Sequence, residues 1–338
     1  MQTADLPCTD CGATDDEVLW VGREHEYNDT TDAPFPVVRC RQCGLVRLNP
    51  RPDVSELDRI YPPTYYAYNL HAQPPARRRG ISSLTTRLKE RVYQRRLAKV
   101  LARVEAPTGP IRVLDVGCAD GTILDWYKAS GHGSRIETHG IDFNERAVEV
   151  ARGRGHRVVV GRFEEEDELE RDAFHLILAS HVIEHVAAPK AFARHARDLL
   201  APGGIFVVAT PNIASRDVRL FGRHWGGCHF PRHWTFYDAE SIGRLAQSVG
   251  LEVDHVEYQP NPVFWIWTFH ALLRDRFSSS SLPDRLFPPV RIFTPSPQAF
   301  VLLSFFTVVD LVLRTLTGKT ASMAVTMRRP AGAGGGST

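Results

Sequence analysis

The segment Val113-Leu-Asp-Val-Gly-Cys-Ala-Asp-Gly-Thr-Ile-Leu124 constrains the fold of this chain more than any other. An apolar run, Ile111 to Val116, carries an acid at Asp115 and ends in a glycine turn, Gly117 to Gly121. Thr122-Ile-Leu-Asp-Trp-Tyr follows with the pattern of a helix. Strand, tight turn and helix in this order expose bare backbone at the carboxyl edge of a parallel sheet, where a nucleoside can lie. The spacing is Asp-x-Gly-x-x-x-Gly. It is not the Gly-x-Gly-x-x-Gly that seats a pyrophosphate on a helix N-terminus. An acid stands where a cationic, amino-acid-like ligand would sit.

The downstream chain continues the alternation. His139-Gly-Ile-Asp142 reads as a second strand ending in an acid, and Arg157-Val-Val-Val160 with the turn Gly161-Arg-Phe163 as a third. Ala173–Ala179 reads as a buried fourth strand, and Leu199-Leu-Ala-Pro-Gly-Gly204 leads into a fifth, Ile205–Ala209. Leu251–Tyr258 and Ser322–Met327 complete the set. Each piece alone has a plainer reading: a tight connection for the glycine turn, and a helix cap for Asp142 or Asn144 before Glu145–Ala151. Together, Asp115, Gly117, Gly121 and Gly140-Ile-Asp142 resemble motifs I and II of the class I S-adenosylmethionine-dependent methyltransferases, over roughly residues 95 to 260. The resemblance implies an α/β, Rossmann-like, doubly wound and mostly parallel seven-stranded sheet. It implies S-adenosylmethionine as donor, with Asp142 accepting from both ribose hydroxyls and Phe163 in the turn beside adenine. Asp115, Gly117, Cys118, Gly121, Asp142, Phe143, Phe163 and Ser180 are the expected donor-site residues.

Four of the six cysteines lie at the amino end, as Cys8-Thr-Asp-Cys11-Gly12 and Cys40-Arg-Gln-Cys43-Gly44. Each knuckle offers two sulfurs from one turn, and the glycine after it supplies a positive backbone angle. Cys8, Cys11, Cys40 and Cys43 are therefore expected to hold a structural zinc ion, with a hairpin of Glu17–Val21 and Pro36–Arg39 between the pairs. No βαβ pattern surrounds either pair, which speaks against a redox role. Cys118 is expected to pack as a small residue.

The domain reading is a zinc ribbon at 1–50, a linker at 51–80, a methyltransferase domain at 81–330 with an apolar insertion at 262–319, and a flexible tail at 331–338. Pro-flanked tyrosines, Ile60-Tyr-Pro-Pro-Thr-Tyr-Tyr66, either cover the substrate mouth or pack on the core. Residues 77–103 hold ten Lys or Arg against one Glu, with apolar positions at helical spacing. The favoured account is the helix that precedes the first strand with a solvated basic face; the other is a helix on anionic headgroups. Pro262–Leu273 and Ala299–Val309 are strongly apolar, but each falls short of the roughly 20 residues of a membrane span, and Asp310 and Arg314 interrupt the second. Packing on the core or a partner is expected, with peripheral membrane contact as the second reading.

Methyl transfer from a sulfonium is an in-line displacement, so alignment and exclusion of water dominate. A hydroxyl or acidic carbon acceptor needs a base near neutrality, which suits histidine. The candidates are His185, His233 and His181, in Ser180-His181-Val-Ile-Glu184-His185-Val186 and Gly226-Gly-Cys-His229-Phe-Pro-Arg-His233. The plainer readings are a donor-pocket prop for His185 and a loop-carbonyl partner for His233. The first segment resembles the Ser-Glu-Val-x-Glu-His-Val stretch of ubiquinone-biosynthesis O-methyltransferases and small-RNA 2′-O-methyltransferases, in which the acids and histidine can hold a divalent ion. His181 replaces the first glutamate here, and magnesium prefers oxygen to imidazole, so a metal-free base is favoured over magnesium. The acceptor is expected to be a small molecule, at O or C of a sugar, quinone or lipid-linked intermediate. An RNA methyltransferase gripping its substrate with the ribbon, or a non-catalytic interaction module, are the alternatives. The net charge of +2 gives nucleic acid no support, and the intact acids speak against a dead site. No amino-terminal apolar run precedes the cysteines, which points to a cytoplasmic protein.

Overall fold

The computed structural model describes residues 1–27, 29–66, 81–104, 109–129, 135–278 and 280–331, with side chains in the helix at 81–101 described from Glu90 onward. At the amino end, β1 (Thr3–Ala4) pairs with β5 (Arg51–Pro52). Between them β2 (Asp16–Gly22), β3 (Phe35–Cys40) and β4 (Val46–Leu48) form an antiparallel sheet. The expected hairpin is β2 with β3.

The central sheet uses β6 (Ile111–Val116), β7 (Ile136–Asp142), β8 (Arg157–Val160), β9 (Phe174–Ser180) and β10 (Leu200–Pro211), then, past the short β11 (Thr235–Phe236), β12 (Glu252–Gln259) and β13 (Ser322–Arg328). The order is β12-β13-β10-β9-β6-β7-β8, with β13 antiparallel to both neighbours and the rest parallel. This is the seven-stranded, mostly parallel sheet the motifs imply. β6 and β9 lie in the middle and read as continuous apolar runs because both of their faces are covered. The chain leaves β6 toward β7 on one side and returns to β9 on the other. That reversal opens a crevice at the carboxyl ends of β6 and β9.

Helices cover both faces. Leu97 and Leu101 of α1 (Ile81–Leu101), Leu124 and Tyr127 of α2 (Thr122–Lys128), and Val148 and Ala151 of α3 (Glu145–Gly153) pack into one core. Phe192, Ala193, Ala196 and Leu199 of α4 (Pro189–Leu199), at helical spacing, fill the other together with Ile242, Leu245 and Ala246. α5 (Arg216–Phe221) precedes the histidine loop, and α6 (Ala239–Ser248) begins in a capping box of Asp238 and Ser241. In α1, Leu97 and Leu101 are buried while Arg91, Arg95 and Lys99 are exposed, as the favoured account of the basic segment expects.

The ribbon is built into this body. Arg47 and Val46 of β4 pair with Thr235 and Phe236 of β11, so one small sheet joins the amino-terminal strands to a strand of the loop between β10 and β12. Cys8, Cys40 and Leu45 share an apolar core with Phe192, Tyr237 and Leu245. The stretch 51–66, read as the start of a linker, is packed: Ile60 and Tyr65 are buried. Residues 67–80 and the tail beyond Ala331 lie outside the described residues.

One expectation needs correction. The insertion folds as α7 (Pro262–Arg276), α8 (Leu282–Leu286) and α9 (Pro297–Thr317). Asp310 does not interrupt the last of these. Its carboxylate turns inward and accepts from Trp265 Nε1 at 2.8 Å and the Asn261 amide at 2.7 Å. The helix therefore runs unbroken for 21 residues, and its most apolar 18 have a mean hydropathy of 2.0. Among the described residues it is the one helix long and apolar enough to cross a membrane, a property shared by core helices of soluble proteins.

Candidate active site and thiolate centre

The acids of β6 and β7 meet at the crevice. Gly117 and Gly121 both adopt φ of 77°, which lets the turn double back over the sheet edge. A Cβ at Gly121 would come within 2.7 Å of the His156 ring. Asp142 Oδ2 accepts from the Ala119 amide at 2.9 Å and Oδ1 from the Asn144 amide at 2.8 Å, tying the first turn to the second. The helix cap is Asn144, whose side chain accepts from Ala147 N. Asp115 is buried, and its Oδ2 has no hydrogen-bond partner in the protein. Burial, with the Asp142 charge second, pushes its carboxyl up to about 7. An orphaned buried carboxylate at a cleft is a socket for a cation.

Not every expected donor residue faces the cleft. Cys118 is buried with its sulfur against Gly140, where an added Cβ would lie 2.5 Å away. Phe163 packs edge-on against Phe192 and His195 in the core. Each is left with its backbone to offer a ligand. Phe143 is 60 % exposed, at the rim after β7.

A cavity of about 300 Å³ descends from this edge between α1 and the sheet, and Asp115, Ser180 and His181 line it. So do Tyr93 and Arg96 of α1, which no sequence motif marks. The one signal was their place just ahead of the first strand.

The histidines converge from two loops. His181, at φ 55°, directs Nδ1 to Glu184 Oε1 at 3.0 Å, and Thr210 Oγ1 donates to Glu184 Oε2 at 3.1 Å. Burial alone would raise the fully buried Glu184, but hydrogen bonding and charge from His181, with His185, leave its pKa below the ordinary value. His185 Nδ1 lies 3.1 Å from the Arg232 carbonyl and 2.8 Å from Tyr61 Oη. His185 Nδ1 can donate to the carbonyl or accept from the tyrosine hydroxyl. His233 Nδ1 faces the Gly227 carbonyl alone, at 2.8 Å, and a carbonyl can only accept, so there Nδ1 carries the proton and Nε2 the lone pair. Its Nε2 stands 4.0 Å from Glu184 Oε1. Burial lowers both imidazoles, His185 to about 4. Glu184, His185 and His233 thus bring one carboxylate oxygen and two imidazole nitrogens within 4.8 Å of one another.

Behind this cluster lies a buried polar network that connects it to the ribbon. Glu24 Oε2 meets Arg232 Nη1 at 2.6 Å and also accepts from Thr30 Oγ1. Glu26 Oε2 contacts His229 Nδ1 at 2.6 Å without the alignment of a hydrogen bond. His229 stacks on Trp267 at 4.7 Å, and Arg232 lies over the Tyr27 ring at 4.5 Å. Burial raises both acids, Glu26 to about 7, against the opposing charge of Arg232. The tyrosine run belongs here too: Tyr61 touches His185, and Tyr66 stacks on Phe293 at 4.4 Å.

In the ribbon, the Gly12 and Gly44 amides close back on the Cys8 and Cys40 carbonyls, with φ of 79° and 78°. The four sulfurs lie within 4.8 Å of one another, and the Cys8–Cys43 and Cys11–Cys40 pairs are 3.5 Å apart. A tetrahedral zinc with bonds near 2.3 Å needs sulfurs ~3.8 Å apart, so the cluster is compatible with zinc.

The family profile for the methyltransferase domain matches residues 88–256, half of the chain. The chain belongs to the methyltransferase family. Ubiquinone biosynthesis O-methyltransferase of Cereibacter sphaeroides (strain KD131 / KCTC 12085) is 27 % identical over 177 residues, 49 % of this chain and 70 % of that protein. The enzyme of the same name from Ruegeria pomeroyi is 29 % identical over 176 residues, 48 % of this chain and 69 % of that protein. Among solved structures, a putative sarcosine dimethylglycine methyltransferase from Galdieria sulphuraria aligns with a TM-score of 0.47 and 15 % identity, covering 74 % of this chain and 87 % of that one. The methyltransferase is S-adenosylmethionine-dependent, as the motifs imply.

Proposed function

We propose that this methyltransferase transfers the methyl group to a hydroxyl of a small acceptor, with His181 taking the proton. The carrying observation is the His181–Glu184 pair at the cavity wall. Glu184 accepts from Nδ1, which leaves Nε2 as the basic nitrogen. The acceptor oxygen forms its bond to the methyl carbon as the carbon–sulfur bond breaks, and its proton passes to His181 Nε2. His233 spends Nδ1 on a loop carbonyl, and neither it nor His185 lines the cavity.

The donor fits the acids. Asp115 supplies an unpartnered carboxylate for the methionine ammonium, and Asp142 the acid for the ribose hydroxyls. Gly117, Gly121 and the Cys118 backbone form the cradle, Ser180 and Phe143 stand at its edges, and Phe163 supports the adenine side from the core. The similarity to ubiquinone-biosynthesis enzymes supports a ring hydroxyl, on a quinol or sugar. In the ribbon, zinc on Cys8, Cys11, Cys40 and Cys43 has no open position and serves structure.

The test is His181→Gln, assayed by transfer of labelled methyl to quinols, sugar nucleotides and lipid-linked sugars. Turnover on the accepted substrate is expected to fall roughly 10²- to 10⁴-fold while donor affinity by titration calorimetry holds. Unchanged turnover would sink the assignment.

A second reading is an ion on Glu184, His185 and His233. It is favoured by the Nδ1–H···O=C bond of His233 and by the loop carbonyl and hydroxyl at His185 Nδ1, the outer-shell pattern of metal-bound imidazole. Two nitrogens and one oxygen suit manganese, cobalt or zinc better than magnesium. Such an ion would supply positive charge beside the accepting oxygen. Turnover that survives exhaustive chelation removes this reading.

A further inference from the structure

The outer face of α9 is apolar and bare. Val301, Phe305, Val308, Val312 and Leu316 are 52 to 74 % exposed and recur at intervals of four, three, four and four, so they form one stripe. Its opposite face is committed: Ala299, Phe306 and the buried Asp310 pack on α7. Leu282 and Leu286 of α8 extend the patch, since Gln298 of α9 donates to the Leu286 carbonyl.

Charge decides what can cover it. From residue 285 to 331 the sole acid is Asp310, which is buried. Arg285 and Arg291 are exposed before the helix, and Arg314 and Lys319 at its end. The one exposed acid of the patch, Asp284 of α8, is already held by Arg274 at 3.4 Å, so a second copy of the chain packed on this stripe, parallel or antiparallel, would set Arg285, Arg291, Arg314 and Lys319 against cations of its own kind. An apolar stripe flanked at both ends by cations matches an anionic lipid surface.

We propose that this face docks on an anionic bilayer surface, with α9 lying in the plane of the headgroups. Spanning is excluded by the inner face, because leaving α7 would strip Asp310 of its partners and carry an acid into hydrocarbon. The orientation also places the cavity. Asn261, whose amide binds Asp310, and Pro260 line the catalytic cavity, and Arg314 donates to the neighbouring Tyr258 carbonyl. The cavity rim therefore abuts the inner face of α9, one helix diameter (~10 Å) from the lipid. The docking itself does not depend on which group is methylated.

Flotation of the full zinc-replete chain with vesicles tests this, using phosphatidylcholine alone and phosphatidylcholine with phosphatidylglycerol. The protein is expected to float with the anionic vesicles and to be released by salt. Phe305→Glu/Val312→Glu is expected to abolish flotation with S-adenosylmethionine affinity unchanged, which reports that the variant is folded. Removing Arg285 and Arg291 as glutamines is expected to weaken vesicle affinity by about fivefold per charge. Wild-type protein that stays down with both vesicles overturns the proposal. So does a dimer, seen by sedimentation velocity, that the double glutamate variant splits. Donor affinity is measured separately, so failure of docking and failure of the methyltransferase site remain distinguishable.

Discussion

The two sides of the cleft are built by opposite means. On the donor side, a contiguous piece of chain makes the site: Asp115, Gly117, Gly121 and Asp142 come from β6, β7 and the turns after them, and backbone amides hold the acids. On the acceptor side nothing is local. Behind the proposed base His181, its supports Tyr61, Glu184, His185, His229 and His233 are assembled from three stretches, and Glu24 and Glu26 of the ribbon anchor the loop that carries two of the histidines. The donor side can keep its shape when the ribbon changes; the acceptor side cannot.

The largest effect should come from the ribbon. A structural zinc site contributes on the order of 10 kcal/mol to folding, and the ribbon sheet includes β11. With zinc on the four thiolates as proposed, stripping it is expected to remove amide-exchange protection from 35–48 and 226–237 while 111–121 stays protected. Uniform loss would abolish the contrast. Next is Arg232→Met. It leaves Glu24 buried beside Glu26 without a cation, at a cost of about 3–5 kcal/mol. The denaturant midpoint should fall accordingly, and Glu24→Gln/Arg232→Met should recover much of the loss. A single variant as stable as wild type would show that the anchor is idle.

Smaller effects belong to the donor side. Asp115→Asn removes one charge-assisted contact and should weaken S-adenosylmethionine binding about 10- to 100-fold by calorimetry. The stability of the ligand-free protein should not fall. The pH dependence follows from a carboxyl raised to about 7. The stability this group contributes is complete below the ordinary carboxylate range and is lost as pH rises through 7. The ligand needs the ionised form, so affinity should rise up to tenfold per pH unit below 7 and then level off. In Asp115→Asn that slope should vanish, and a slope that persists would assign it to another group.

This contrast also explains what the sequence disclosed. The donor turn was legible because glycine spacing and strand-end acids act through the nearest backbone, so order along the chain is order in space. His181, His185 and His233 were candidates by residue type, but the surroundings of the last two depend on the Arg232 and Gly227 carbonyls, which no motif marks. Phe163 stood in the expected turn, yet its direction was set by Phe192 and His195. Asp310 was misread as a break because polarity in a sequence does not say which way a side chain points. The pairing of β4 with β11 left no trace, since neither two- or three-residue strand has a pattern of its own.

That pairing bears on synthesis. A chain emerging amino end first presents both cysteine knuckles early, and metal can close them. Yet the edge of β4 stays unpaired until Thr235 and Phe236 have been made. Until then the ribbon carries an open strand able to recruit the wrong neighbour. An excised ribbon would keep that edge permanently, so it should be the piece of this protein least suited to life alone.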